Sequence, residues 1–371
     1  MSTFLINASN LKNGGGLQVA QSICAQIGRF GEHQFVLVLS TAVNDEGIMF
    51  GSNVTVYRYD IRHNLKTVVL GRDNFLDGLV VEKRVDAVLT VFGPSLWRPR
   101  CKHLCGFARA QLLKDVNPDA NNGLSFKERL VYKAWDWAFK HSSKIFYTEN
   151  GYISDLLEKH FKDVKVYTVS NYYNQVFDSP EKWKRSITLP PFEGVTCLSV
   201  SSPSSHKNFG IIEDVVRYLR KVHPDFKVRF VLTFSPDIWP MAEDVRDSIV
   251  YVGKTDVSEC PYLYEQADIM FMPTLLECFT ATYPEAMRMD VPIVTTDLEF
   301  ARGLCGDAAC YYSAIDPVAA AEAIYKVATD KEYAACLVAN GKEQLKKFDN
   351  YEQRAEKLVR ILEEMVEDRE R

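Results

Sequence analysis

Short apolar runs recur along the chain and alternate with segments whose apolar residues fall at helical spacing. In the first half the runs are residues 4–6, 35–39, 54–57, 87–92, 103–107, 144–149 and 165–169. In the second they are 195–201, 228–233, 249–252, 268–272 and 291–294. Between them, 17–27, 125–140, 211–222, 317–328, 331–347 and 351–367 carry apolar positions three and four apart. Apolar strands alternating with helices predict parallel sheets, because a parallel pair needs a crossover and the crossover helix covers the sheet face. At 371 residues the chain is too long for one ordinary domain and fits two. Residues 174–194 hold Pro180, Pro190 and Pro191 among mixed charges and read as the linker, which sets the domains at 1–174 and 175–350.

The helical segment 125–140 has two readings. Trp135, Trp137 and Phe139 lie beside Lys127, Arg129, Lys133 and Lys140, a mixture suited to a membrane surface. Leu130, Val131, Ala134, Trp135 and Ala138 form one stripe, which favours a core helix. Ser125, with Glu128 three residues later, is its expected cap. Trp97-Arg98-Pro99-Arg100 reads as an exposed basic-aromatic loop.

Candidate chemistry concentrates after the strand at 268–272. Glu277 precedes a helix start and Glu285, eight residues on, falls in its first turn, so the two carboxylates lie close. The free amides of Thr280, Ala281 and Thr282 face the same crevice in this reading, with Phe279 beside them. Helix-start amides bind anions and carboxylates accept from hydroxyls, so the set suits a ligand with phosphates and sugar hydroxyls. Near the start, a strand runs into Gly14-Gly15-Gly16 and then a helix, an arrangement that lets backbone approach an acceptor or a phosphate. Val19 stands where a dinucleotide fingerprint has its third glycine, so that reading is weak.

Composition narrows the classes. Nine scattered cysteines without paired CxxC motifs argue against a structural zinc site and fit a reducing cytoplasm. No signal peptide or membrane-spanning run is read. Residues 1–171 hold 21 Lys and Arg against 16 Asp and Glu, while the rest holds 23 against 33. A basic first half fits a peripheral protein whose first domain faces an anionic surface or acceptor; an acidic chain overall makes nucleic acid a poor partner.

The stretch from Glu277 to Glu285 resembles the E-x7-E signature of retaining GT-B glycosyltransferases of family 4. Leu263-Tyr264 with Ala267-Asp268, Pro292-Ile293-Val294, Gly306-Asp307-Ala308-Ala309 and Asp316-Pro317 follow that family's further landmarks in order. The resemblance implies two Rossmann-like α/β domains facing a cleft, with the last helix, in 351–371, packing back on the first domain. It implies transfer of a hexose, with retention, from a UDP- or GDP-sugar to a hydroxyl of a glycan or lipid-linked acceptor, in surface polysaccharide or glycoconjugate synthesis. Glu285 is implied to hold the ribose, Glu277 the sugar hydroxyls and Gly253-Lys254 the base. Lys207-Asn208 matches the K-N of the family's G-R-L-x-x-x-K-N segment, which holds the donor diphosphate, but Ser202 stands at its arginine. Many members place a histidine on the donor sugar; here His103 comes too early in its strand and Gly106 or Phe107 takes the equivalent place. No D-x-D occurs, so no metal and no further cofactor is expected. The implied location is cytoplasmic, with peripheral contact at the inner face of a membrane through the first domain. A sugar-nucleotide epimerase of the same fold, a non-catalytic nucleotide-sugar-binding subunit (because of Ser202) and a nicotinamide oxidoreductase are the alternatives.

Overall fold

The computed structural model describes residues 1–62, 64, 66–113, 116, 117 and 125–368. The described chain divides into two units, each built on one parallel sheet. The first holds residues 1–113, 125–171 and 349–368 of those described; the second holds Val116, Asn117 and Tyr172–Phe348.

The first unit runs β1 (Thr3–Ala8), α1 (Gly15–Ile27), β2 (Gln34–Leu39), β3 (Val54–Arg58), α2 (Asn74–Glu82), β4 (Ala87–Thr90) and β5 (Lys102–Gly106). It continues with α3 (Phe126–Ser142), β6 (Ile145–Thr148), α4 (Gly151–His160) and β7 (Lys165–Thr168). Its seven strands lie in the order β3-β2-β1-β4-β5-β6-β7, all parallel. The inner strands are buried on both faces, which is why they read as unbroken apolar runs.

The second unit runs β8 (Val195–Ser199), α5 (Ile211–Val222), β9 (Val228–Leu232), β10 (Ile249–Tyr251), α6 (Cys260–Tyr264) and β11 (Ile269–Met272). Then come α7 (Thr282–Arg288), β12 (Ile293–Thr296), α8 (Glu299–Cys305), β13 (Ala309–Tyr312), α9 (Pro317–Thr329) and α10 (Lys331–Leu345). Its six parallel strands are ordered β10-β9-β8-β11-β12-β13. The chain's last helix, α11 (Tyr351–Glu367), belongs to the first unit. A capping box between Asn350 and Gln353 opens it, and Leu358, Val359, Ile361, Leu362 and Met365 join α1 and β1 in one core. Residues 369–371 of the segment expected to pack there lie outside the described residues.

Each sheet reverses its winding once, between β1 and β4 in the first unit and between β8 and β11 in the second. Loops that leave the carboxyl ends of such a strand pair diverge to opposite faces and leave a ligand crevice between them. The Gly14–Gly16 segment follows β1. Ser202 and Lys207 follow β8, and Glu277 follows β11, so the second switch point gathers most of the charged candidates.

Three local expectations are corrected. Trp97 is fully buried, with Nε1 donating to Asp77 Oδ1 at 3.0 Å, so that loop exposes no tryptophan. Leu130, Val131 and Ala134 are exposed on α3; its core contacts come from Ala138, Phe139 and Ser142 one face away. Gly15 and Gly16 are the first helical residues of α1, not loop. The stretch 174–194 forms two short 3₁₀ turns and lies along the second unit: Gln266 Nε2 donates to Ile187 O at 3.0 Å and Lys184 N to Ser258 O at 2.9 Å.

Candidate active site at the second switch point

The loop after β8 tightens into a 3₁₀ turn, Ser205–Lys207, closed by Asn208 in the left-handed region at φ 52°. Asparagine tolerates that conformation better than branched residues, which accounts for asparagine directly after the lysine. Lys207 Nζ pairs with Glu277 Oε1, and both side chains are mostly buried. Thr274 Oγ1 also donates to Glu277 Oε1, at 2.9 Å. Leu275 N donates to His206 O at 2.7 Å, so the two loops are stitched backbone to backbone beneath the ion pair. An unpaired lysine or glutamate this buried would be costly. The pair therefore holds both charges in place, with each able to exchange its partner for a ligand group.

Glu285 lies in the first turn of α7 and is only 5% exposed. Burial raises its pKa to about 7, opposed by the hydrogen bond that Tyr264 Oη donates to Oε2 at 3.2 Å. The same hydroxyl lies 3.3 Å from Thr282 O. Thus the carboxylate has one weak, shared donor and retains accepting capacity for ligand hydroxyls. Tyr264 was legible only as part of a landmark; its role as the carboxylate's partner depends on α6 packing against α7.

At the start of α7, Thr280 and Thr282 are buried and their hydroxyls lie 2.9 Å apart. The first intrahelical bond at this end runs from Glu285 N to Ala281 O, at 2.9 Å, which leaves the earlier amides outside the helix ladder. Phe279 is half-buried and stands edge-on to Phe348, ring centroids 6.0 Å apart. Ser202 is exposed on the β8 loop. Gly253, at φ +78°, turns the chain after β10, and Lys254 beside it is exposed. His206, which the sequence reading passed over, sits between Ser204 Oγ, 3.2 Å from Nδ1, and the Lys207–Glu277 pair; burial lowers its pKa.

The remaining candidates belong to the first unit. Gly14 precedes α1 at φ 76° and ψ −170°, a conformation essentially confined to glycine, whereas a Cβ at Gly15 would meet nothing. His103 is buried in the sheet: Nδ1 donates to Ser142 O at 2.9 Å and Nε2 accepts from Thr90 Oγ1 at 2.8 Å. Burial lowers its pKa to about 4, so it is a neutral, fully bonded group at ordinary pH. At Gly106 a Cβ would stand 2.0 Å from Val91 O and 2.8 Å from the Tyr147 ring, so no histidine fits there as the strands are packed.

Among the described residues one group of metal-ligating type comes together, Glu32, His33 and Glu363. It lies at the amino-terminal edge of β2. His33 Nε2 lies 2.7 Å from Glu363 Oε1 and its Nδ1 accepts a long bond from Ser2 N, so it reads as a hydrogen-bonded pair that ties α11 to the sheet.

Residues 195–330 match the family model described as "Glycosyl transferases group 1". No curated protein matches the chain. Similar solved structures include sucrose-phosphate synthase from Thermosynechococcus elongatus, 15% identical, covering 99% of this chain and 100% of that one with a TM-score of 0.69. WaaG, titled a glycosyltransferase involved in lipopolysaccharide biosynthesis, is 16% identical over 97% of this chain and 99% of its own, TM-score 0.65. HepE of Anabaena, solved with UDP and glucose, is 11% identical over 98% and 99%, TM-score 0.62. At such identities the likeness shows the fold, which is GT-B. The family match to the second unit and the fold together support a glycosyltransferase of the GT-B fold.

Proposed function

We propose that the chain is a retaining, metal-independent hexosyltransferase of glycosyltransferase family 4. In this reading it moves a hexose from a UDP- or GDP-sugar to a hydroxyl of a glycan or lipid-linked acceptor, in surface polysaccharide or glycoconjugate synthesis. The observation that carries the reading is the Lys207–Glu277 pair at the second switch point, with Glu285 buried nearby on α7. HepE, solved with UDP and glucose, favours UDP as the nucleotide to test first.

The donor diphosphate takes Lys207 from Glu277, which frees the carboxylate to accept from the sugar hydroxyls. Glu285 accepts from the ribose hydroxyls, and Gly253 and Lys254 flank the base. The amides from Phe279 to Thr282 supplement Lys207 as charge builds on the leaving group. The acceptor oxygen bonds to the sugar's anomeric carbon on the face from which the diphosphate departs, and the departing oxygen takes the acceptor's proton. Ser202 stands where relatives of this type have a fixed cation, so Lys207 carries more of the leaving-group charge here. Work at the cytoplasmic face of a membrane, through the first unit, fits a lipid-linked acceptor; no helix among the described residues is long and apolar enough to cross one.

The test is a panel of UDP- and GDP-hexoses with candidate acceptors, the product followed by proton NMR. Transfer with an α-donor giving an α-product, undiminished by a chelator, is expected. A β-product or loss of turnover with the chelator overturns the mechanism, and interconversion of the donor without transfer favours the epimerase.

A further inference from the structure

Helix α3 carries two apolar faces, and only one is used. Ala138, Phe139 and Ser142 face the core. On the opposite side Phe126, Leu130, Lys133, Trp137 and Lys140 recur at steps of four, three, four and three, which puts them in one line along the helix. Phe126 is 77% exposed, Leu130 50% and Trp137 42%, a large apolar outlay to leave in water. Lys127 and Arg129 flank the line. The two acids of the helix are turned to local partners: Glu128 closes the capping box with Ser125, and Asp136 pairs with His160 at 2.5 Å.

A second exposed apolar element is tied to this face through Arg98. Val68, Val69 and Leu70 are exposed at the end of the turn Lys66–Leu70. Arg98 joins the two, because its amide donates to Gly71 O at 2.8 Å and its guanidinium lies over the Trp137 ring, 5.0 Å from the centroid. The patch thus interleaves aromatic and aliphatic side chains with cations and presents no free carboxylate of α3.

We infer that the exposed face of α3, with the Val68–Leu70 turn, seats the first unit on an anionic lipid bilayer surface. The apolar line enters the headgroup boundary while Lys127, Lys133 and Lys140 meet lipid phosphates. Charge decides against a second copy as the occupant: pairing this face with itself sets Lys133 and Lys140 against the same residues, and like charges oppose that contact. The inference deepens the lipid-linked-acceptor reading, yet it stands on these residues and is tested without turnover.

Sedimentation with vesicles of phosphatidylcholine alone, and of phosphatidylcholine mixed with phosphatidylglycerol, tests it. The wild-type chain is expected to sediment with the mixed vesicles, less so as salt rises, and to stay in solution with phosphatidylcholine alone. Each of Lys133→Gln and Lys140→Gln is expected to weaken partition about fivefold. Leu130→Glu with Trp137→Glu is expected to abolish it; because both positions are exposed, an unchanged circular dichroism spectrum separates lost binding from lost folding. Equal binding to both vesicles, binding to neither, or a wild-type response from the glutamate variant overturns the inference. So does a dimer in sedimentation velocity that the glutamate variant dissolves, which assigns the face to self-association. UDP binding measured on the same samples keeps the catalytic reading separate: vesicle binding can fail while UDP still binds, and the reverse.

Discussion

The two units wind their sheets in the same order and reverse at equivalent strands, yet the two switch points carry different chemistry. After β8 and β11 stand a lysine, a glutamate and a histidine, stitched together by short backbone and hydroxyl bonds. After β1 and β4 the equivalent loops, residues 9–14 and 91–101, carry Lys12, Arg98 and Arg100 but no acidic residue: Ser9 Oγ donates to Asn7 Oδ1 at 2.7 Å, Asn10 Nδ2 donates to Phe92 O at 2.7 Å, and Gly14 opens α1. Topology supplies a crevice in both; only the side chains on the loops decide which one is equipped for a phosphorylated ligand. The buried glutamates repeat the lesson. Glu285 and Glu149 both have a pKa raised to about 7 by burial. Glu149 lies near Arg354, the guanidinium that also donates to Asn171 Oδ1, and so its charge is opposed within the fold. Among the described residues Glu285 has a shared tyrosine hydroxyl and no cation beside it, so no charge within the fold opposes its own.

If the second switch point is the reacting one, Lys207→Ala should lower turnover roughly 10²–10³-fold, the scale for one preorganised electrostatic donor. Glu277→Gln should also reduce turnover strongly while free UDP still binds, as steady-state rates beside calorimetry will show. Near-normal turnover from either variant removes the ion pair from the site.

Glu285→Ala should weaken UDP and uridine alike by about 1.5–3 kcal/mol, the cost of a charge-assisted hydrogen bond. Glu149→Gln, in the other unit, should leave both affinities unchanged in the same titrations, which sharpens the contrast between the two glutamates.

The protonation of Glu285 gives the comparison a pH signature. A carboxyl raised from 4.5 to about 7 keeps its proton in the folded chain where the unfolded chain has lost it. Its contribution to stability is therefore full below about 4.5 and is lost as pH rises to about 7, at no more than about 1.4 kcal/mol per pH unit. Ligand binding runs the other way, because ribose hydroxyls donate to the ionised form. UDP affinity should rise as pH increases through 7, and Glu285→Gln should flatten both slopes in thermal unfolding and in titration.

The smallest effects belong to the glycine segment. Gly14→Ala forces an alanine into a glycine-only conformation and should cost about 1–3 kcal/mol of stability. Gly15→Ala adds a methyl in open space at the first turn of α1 and should be neutral or stabilise by about 0.4–1 kcal/mol. Thermal unfolding of the two variants side by side checks the difference.

The α/β architecture was legible because strands buried on both faces leave continuous apolar runs, and helices such as α5 and α11 leave clean 3.6-residue stripes. In the second unit the candidate residues lie within short loops at strand ends, where spacing along the chain nearly fixes spacing in space. Elsewhere the signal is ambiguous. Helix α3 has apolar residues on two sides, and periodicity cannot say which side meets the core. Trp97 sits among arginines and prolines yet is buried, because Asp77 on α2 accepts from its indole. The pairing of Tyr264 with Glu285 joins residues 21 positions apart on two helices, a contact that no local pattern encodes.

In the proposed mechanism the second unit holds a nucleoside diphosphate with Lys207 on the phosphates and Glu285 on the ribose. Calorimetric titration of the wild type, Lys207→Ala and Glu285→Ala with UDP and with uridine tests it most directly. Lys207→Ala is expected to bind uridine as the wild type does but to lose most of the advantage of UDP over uridine, and Glu285→Ala to weaken both. Wild-type affinity of Lys207→Ala for UDP, or of Glu285→Ala for uridine, contradicts it.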